Sequence, residues 1–174
     1  AVGVGAGPRC PPGRRWNGGA GGAVLGGMTL TGEYEPSPEQ WVRDQVATFE
    51  ATDGREANTL PDHPEWPIVV ITSRGAKSGK LRKNPVMRVE KDGVYAAVAS
   101  KGGAPEHPAW YANFIAHPEV DLQDGAEKHT YRARVVEGAE RAEWWERAVA
   151  VYSPYAEYAE KTDREIPVFL LERI

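Results

Sequence analysis

A succession of short strand-like runs, each cut by a turn signal, constrains the fold of this chain more than any other feature. Ile68-Val69-Val70-Ile71 reads as a buried strand, and Gly75 and Gly79 bound a compact turn after it. Pro85 precedes a second short strand through Val89, and Asp92-Gly93 makes a hairpin turn into Val94 to Ala99. These two strands are expected in the middle of a mixed or antiparallel sheet. Leu122, then Tyr131, Ala133 and Val135, read as a further hairpin across Asp124-Gly125, and Ile166 with Val168 to Leu171 reads as a closing strand. About six strands with interspersed helices favour an α+β fold built on a small barrel over a helix bundle.

The helical signals fall between these runs. Ser37 followed by Pro38, Glu39 and Gln40 has the form of a capped helix start, with Trp41, Val42, Val46 and Phe49 along one broad face up to Gly54. That face serves either core packing or contact with a membrane surface. His107-Pro108 opens a helix through Phe114 and Ile115, which His117-Pro118 stops. Ala139 to Ala150 is the strongest helical segment, and Pro154 breaks or kinks it before a second helical piece over Tyr155 to Tyr158.

Residues 1–32 hold 11 of the 19 glycines, three prolines, three arginines and no acidic residue, so ordering them costs more entropy than their sparse apolar groups return. They are expected to be a disordered head, or an extension left by processing or start-site choice, ahead of one domain over residues 33–174. The 174 residues carry 21 basic and 25 acidic side chains, a net charge of -4; without the head the count is 18 against 25, or -7. An acidic domain argues against a whole-surface nucleic-acid footprint. Cys10 is the single cysteine, which excludes an intrachain disulfide and a thiolate cluster. No apolar stretch reaches the roughly 18 residues that cross a bilayer.

Against this acidic background, Arg74, Lys77, Lys80, Arg82, Lys83, Arg88 and Lys91 are concentrated in one stretch with Glu90 as its only acid. Gly75, Ser78 and Gly79 expose backbone donors in the turn, so the stretch is either an anion-binding site or a solvated hairpin loop. It is not a Walker loop, because the glycine spacing is wrong and Leu81 stands where Ser or Thr would meet magnesium. A second glycine turn, Ala99-Ser100-Lys101-Gly102-Gly103, follows a strand and precedes the helix with Trp110, Tyr111 and Asn113. Such a turn brings backbone close to a planar ring, although each aromatic fits a core role as well. The four histidines lack metal-site spacing, and no nucleophile elbow is present, so no metal and no covalent serine chemistry are expected.

Several of these elements occur in an order that carries a resemblance. Ile71-Thr72-Ser73-Arg74-Gly75-Ala76-Lys77-Ser78-Gly79, Arg82-Lys83-Asn84-Pro85, Ala99 to Gly103, Pro108 to Asn113, Tyr152 to Tyr158 and Thr162 to Pro167 together resemble the deazaflavin-dependent nitroreductases of actinobacteria, also described as quinone reductases. The resemblance runs over about residues 40–172.

It implies a split β-barrel of the flavin- and deazaflavin-binding type with flanking helices, holding coenzyme F420. The positions it carries over for the cofactor are Lys77, Ser78, Gly79, Arg82, Asn84 and Pro85, then Ala99, Ser100, Lys101, Gly102 and Gly103, with Trp110 and Asn113 nearby. Ala76 departs from the pattern, since relatives place arginine there; Arg74 or Lys83 is the expected compensation. Tyr152, Tyr155 and Tyr158 match an aromatic substrate wall, with Ser100 and Tyr155 as the hydrogen-bonding residues at the reacting end.

The implied reaction is hydride transfer from the reduced deazaflavin to a small-molecule electron acceptor, namely a quinone, nitroaromatic or activated alkene. A non-catalytic F420 or flavin carrier is the alternative. The expected setting is cytoplasmic, as monomer or homodimer, with peripheral contact at the inner face of the plasma membrane left open.

Overall fold

The computed structural model describes residues 30–174. Its elements are helix α1 (Gln40–Ala51), strands β1 (Thr59–Leu60), β2 (His63–Arg74), β3 (Leu81–Met87), β4 (Val89–Lys91) and β5 (Val94–Val98), a short 3-10 turn (Lys101–Gly103), helix α2 (Ala109–Ala116), strands β6 (Glu119–Asp124) and β7 (Glu127–Val135), helices α3 (Gly138–Val151) and α4 (Pro154–Lys161), and strand β8 (Val168–Arg173). The expected head lies outside the described residues except for its last three. Of these, the Leu30 amide donates to Asp121 Oδ2 at 2.9 Å and the Thr31 carbonyl accepts from Arg74.

All strand pairings are antiparallel, in the order β1-β2-β6-β7-β8-β5-β4, with β3 also on β2. Only Arg88 separates β3 from β4, and its amide donates to the Pro67 carbonyl at 2.9 Å. This bent segment therefore stands on β2 with one half and on β5 with the other, so the sheet curls into a split β-barrel. The sequence placed the Asp92-Gly93 hairpin in the middle of the sheet; its first strand, β4, is instead at an end of the order. The reason is the bend at Arg88, which takes this strand out of line with β3.

The apolar runs are continuous rather than alternating because both faces of the sheet are covered. Along β2, Val69 and Ile71 join the core inside the barrel, while Ile68 and Val70 lie under α1. Along β5 and β8, Tyr95, Ala97, Phe169 and Leu171 face the inner core, and Ala96, Val98, Val168 and Leu170 face the layer of α3 and α4. Helix α1 is held by Val42, Val46 and Phe49, an i, i+4, i+7 stripe; burying the Phe49 side chain is worth about 2–3 kcal/mol. Trp41, expected on that face, falls off the stripe: it is 50% exposed and donates to Glu39. Pro85, expected ahead of a strand, lies within β3 opposite Val70. The position is tolerated because β3 is paired along its length on one side only, so no ladder hydrogen bond is lost on the other.

Candidate functional site

The basic turn between β2 and β3 is closed by its own backbone. The Gly75 amide donates to Lys80 O at 2.7 Å and the Gly79 amide to Gly75 O at 3.0 Å, while Ser78 Oγ accepts from the Lys80 amide. A Cβ at position 75 would lie 2.7 Å from Ser78 Oγ, so glycine lets the turn fold back on itself. Asn113 of α2 fastens the turn from outside, its Oδ1 accepting from the Ala76 amide at 2.9 Å. Between turn and helix lies a pocket of about 440 Å³ lined by Glu35, Gly75, Ala76, Lys77, Ser78, Arg82, Ala109, Ala112 and Asn113.

Most of the cations noted in the sequence are already committed. Arg82 pairs with Glu35 at 2.6 Å, Lys83 with Glu50 at 2.6 Å, Lys80 with Glu33 at 3.7 Å, Arg88 with Asp124 at 2.9 Å and Lys91 with Glu143 at 4.0 Å. Arg74 donates to the carbonyls of Gly79 and Thr31. Lys77 is left without a partner among the described residues, as are the amides of Lys77 and Ser78. Neither Arg74 nor Lys83, the residues expected to compensate for Ala76, lines the pocket; its cationic lining residues are Lys77 and Arg82. This donor set fits a phosphate or carboxylate group.

The second turn has a different construction. Lys101, Gly102 and Gly103 have φ of 45°, 63° and 81°, three consecutive residues in the left-handed region, one of them not glycine. Arg164 holds them from 60 or more residues away. Its guanidinium donates to the carbonyls of Ala104, Ala99 and Ser100, the last at 2.8 Å, and to His107 Nδ1 at 3.0 Å. Burial and the facing Arg164 cation depress the His107 pKa, which keeps the ring neutral and able to accept that bond. Ser100 is buried, yet its hydroxyl meets no partner among the described residues.

This turn abuts the tyrosines. A Cβ on Gly103 would come within 2.8 Å of the Tyr158 carbonyl oxygen. Tyr152 caps the C-terminus of α3, and Tyr155 and Tyr158 follow on α4. The three rings meet edge-on or tilted at 4.8 to 6.3 Å, and the Tyr152 and Tyr158 hydroxyls are 2.8 Å apart. Pro154 thus preserves the grouping by starting a new helix. Trp66 adds a fourth ring, edge-on to Tyr152 at 4.8 Å. Burial raises the Tyr155 pKa strongly, and its hydroxyl, like that of Ser100, has no hydrogen-bond partner among the described residues. It is therefore a protonated donor at any ordinary pH.

The predicted residues separate into three groups. Lys77, Ser78, Arg82 and Asn113 surround the pocket, with Gly79 closing its turn; Lys101 to Gly103, which follow Ser100, pack on α4; and Trp110 and Ala99 are in the barrel core, Trp110 against Phe114 and Phe169. Asn84 and Pro85 are half-buried on β3 beyond the pocket lining. Sequence reasoning gave no role to Arg164, Glu35 or Trp66. Arg164 stood within the Thr162 to Pro167 match, but its partners are too distant in the chain for any local pattern to indicate them. Among the described residues no cluster of histidine, cysteine or carboxylate side chains could hold a metal, and no helix is long and apolar enough to cross a membrane.

The family model described as F420H(2)-dependent quinone reductase matches residues 41–173. An F420H(2)-dependent quinone reductase of Mycobacterium tuberculosis is 31% identical over 137 residues, 77% of this chain and 91% of the relative. A solved F420-H2 dependent reductase is 58% identical, covering 61% of this chain and 94% of its own at a TM-score of 0.59. A second structure, described as a domain-swapped dimer, is 51% identical, covering 78% and 100% at a TM-score of 0.61.

Proposed function

Since the chain belongs to the F420H(2)-dependent quinone reductase family, we propose that it binds coenzyme F420 and reduces a quinone, with nitroaromatics and activated alkenes as further acceptors. The observation that carries this reading is the presence of two unlike sites, one between the basic turn and α2 and one at the second glycine turn beside the tyrosines. One offers a cation and open amides to an anionic tail; the other offers two unpartnered hydroxyls beside an aromatic seam.

When bound, a reduced deazaflavin supplies a hydride equivalent to an electron-poor acceptor. The chain's own residues bind and orient. Lys77, Arg82, the Ser78 hydroxyl and the turn amides hold the phosphate and carboxylates of the tail, and Gly79 and Asn113 keep that turn in shape. Gly102 lets backbone approach a planar ring without a side chain between them, and Gly103 lets the same turn pack against α4. Ser100 orients the acceptor or stabilises negative charge developing on it. Tyr155, kept protonated by burial, donates a hydrogen bond to an acceptor oxygen or a proton to it. Tyr152, Tyr158 and Trp66 exclude water and present ring faces and edges to a flat acceptor. The domain-swapped relative supports a homodimer, for which light scattering of the purified protein is the check.

The deciding experiment is anaerobic titration with reduced coenzyme F420, following cofactor absorbance and fluorescence before and after menadione is added. Binding followed by protein-dependent oxidation is expected. Binding without oxidation across quinones, nitroaromatics and enones establishes a carrier instead, and no binding ends the cofactor assignment.

A further inference from the structure

An acidic residue lines the pocket whose other charged groups are cationic. Residues 33–35 run parallel to the start of β3, bridged at Tyr34 and Leu81. The Leu81 amide donates to Glu33 O at 2.7 Å and the Glu35 amide to Leu81 O at 2.9 Å. This register sets Glu33 beside Lys80 and Glu35 beside Arg82, so the backbone delivers the Glu35 carboxylate to the one pocket arginine, with Oε2 2.6 Å from Nη1.

We propose that Glu35 is a specificity-determining residue that acts as a built-in competitor for the anion pocket: its carboxylate takes the place on Arg82 that a ligand's negative group would use. The assignment of that ligand as the F420 tail rests on the reading above. The side chains of Arg82 and Glu35 are 30% and 44% exposed, and ion pairs with this much access to water are weak. An incoming phosphate or carboxylate therefore displaces Glu35 at modest cost. The cost is the same for every anion that engages Arg82 and absent for a ligand that does not. Glu35 thereby lowers the advantage of tailed over tail-less ligands and shortens the residence of anions in the pocket. That suits a site whose ligand must leave and return.

The test uses E35Q, which keeps side-chain shape and the Glu35 backbone bonds while removing the charge, with E33Q and the pair R82Q and E35Q/R82Q as controls. Calorimetry with inorganic pyrophosphate and fluorescence titration with coenzyme F420 and with tail-less 8-hydroxy-5-deazariboflavin give the affinities. Matched thermal unfolding verifies that each variant is folded. E35Q is expected to bind pyrophosphate and coenzyme F420 about three- to tenfold more tightly and the tail-less ligand unchanged. E33Q is expected to shift these affinities by less than about twofold, and no gain is expected when R82Q is the background. Pyrophosphate bound equally by wild type and E35Q overturns the proposal, even if coenzyme F420 still binds and supports turnover. Tighter pyrophosphate binding by E35Q with no coenzyme F420 binding by either protein sustains the role of Glu35 and overturns the cofactor assignment.

Discussion

Arg164 donates to the carbonyl of Ser100 at 2.8 Å, a bond that joins the segment entering β8 to the turn leaving β5. The same guanidinium reaches the carbonyls of Ala99 and Ala104, so one side chain holds three carbonyls of a turn with three left-handed residues. Strained backbone of this kind persists only where its surroundings over-determine it. The R164M variant is expected to lose about 2–4 kcal/mol of stability, from the loss of charge-assisted hydrogen bonds at partly buried carbonyls. Denaturant unfolding measures the loss, and R164K, which cannot span the three acceptors, is expected to recover less than half of it.

Gly102 and Gly103 separate two costs of a side chain. Both have positive φ, but a Cβ on Gly102 enters open space, whereas one on Gly103 strikes the Tyr158 carbonyl oxygen at 2.8 Å. G102A is expected to cost about 1 kcal/mol, the conformational penalty alone. G103A is expected to cost about 2–3 kcal/mol and to displace α4, which tryptophan and tyrosine near-ultraviolet dichroism reports through Tyr152, Tyr155 and Tyr158.

His107 makes the second turn sensitive to acid. Its folded-state pKa is depressed below the ordinary value of 6.5, so between the two values the unfolded chain binds more protons. The stabilisation is complete above about 6.5 and declines as pH falls toward the folded value. Thermal unfolding from pH 8 to pH 5 is expected to show this decline in wild type and a smaller one in H107N, which retains an acceptor for Arg164 but cannot become a cation.

The unpartnered hydroxyls of Ser100 and Tyr155 distinguish a chemical role from a structural one. Removing either breaks no hydrogen bond with a described residue, so S100A and Y155F are expected to change unfolding free energy by less than about 1 kcal/mol. In menadione reduction with coenzyme F420 each is expected to lower kcat/KM about a hundredfold, the scale of one lost transition-state donor. Unchanged turnover in Y155F removes Tyr155 from the reacting end.

Much of the fold was legible because local chemistry is strong there. Asp92-Gly93 does adopt φ of 52° and 81°, the values that such a hairpin turn requires, and Pro154 does begin a new helix. The candidate site stood in the sequence only as a set of residue types in order. Their grouping was not legible there: Trp110 packs on Phe169 in the core although it sits three residues before Asn113, which reaches the pocket turn. Helical spacing places residues three apart on neighbouring but distinct parts of a face, and only the surrounding sheet decides which of them meets solvent.

By itself, the sequence determined where the main turns and helix breaks fall, that the strands are apolar on both faces, and that a basic glycine turn interrupts an acidic chain; these follow from φ/ψ preference and periodicity within a few residues. The tertiary structure alone decided that Arg88 bends one segment to close the barrel, that Arg164 locks the Ser100 turn, and that Glu35 pairs with Arg82. The last two join residues 64 and 47 positions apart, and Coulomb attraction and hydrogen bonding act across space with no periodic mark in the chain.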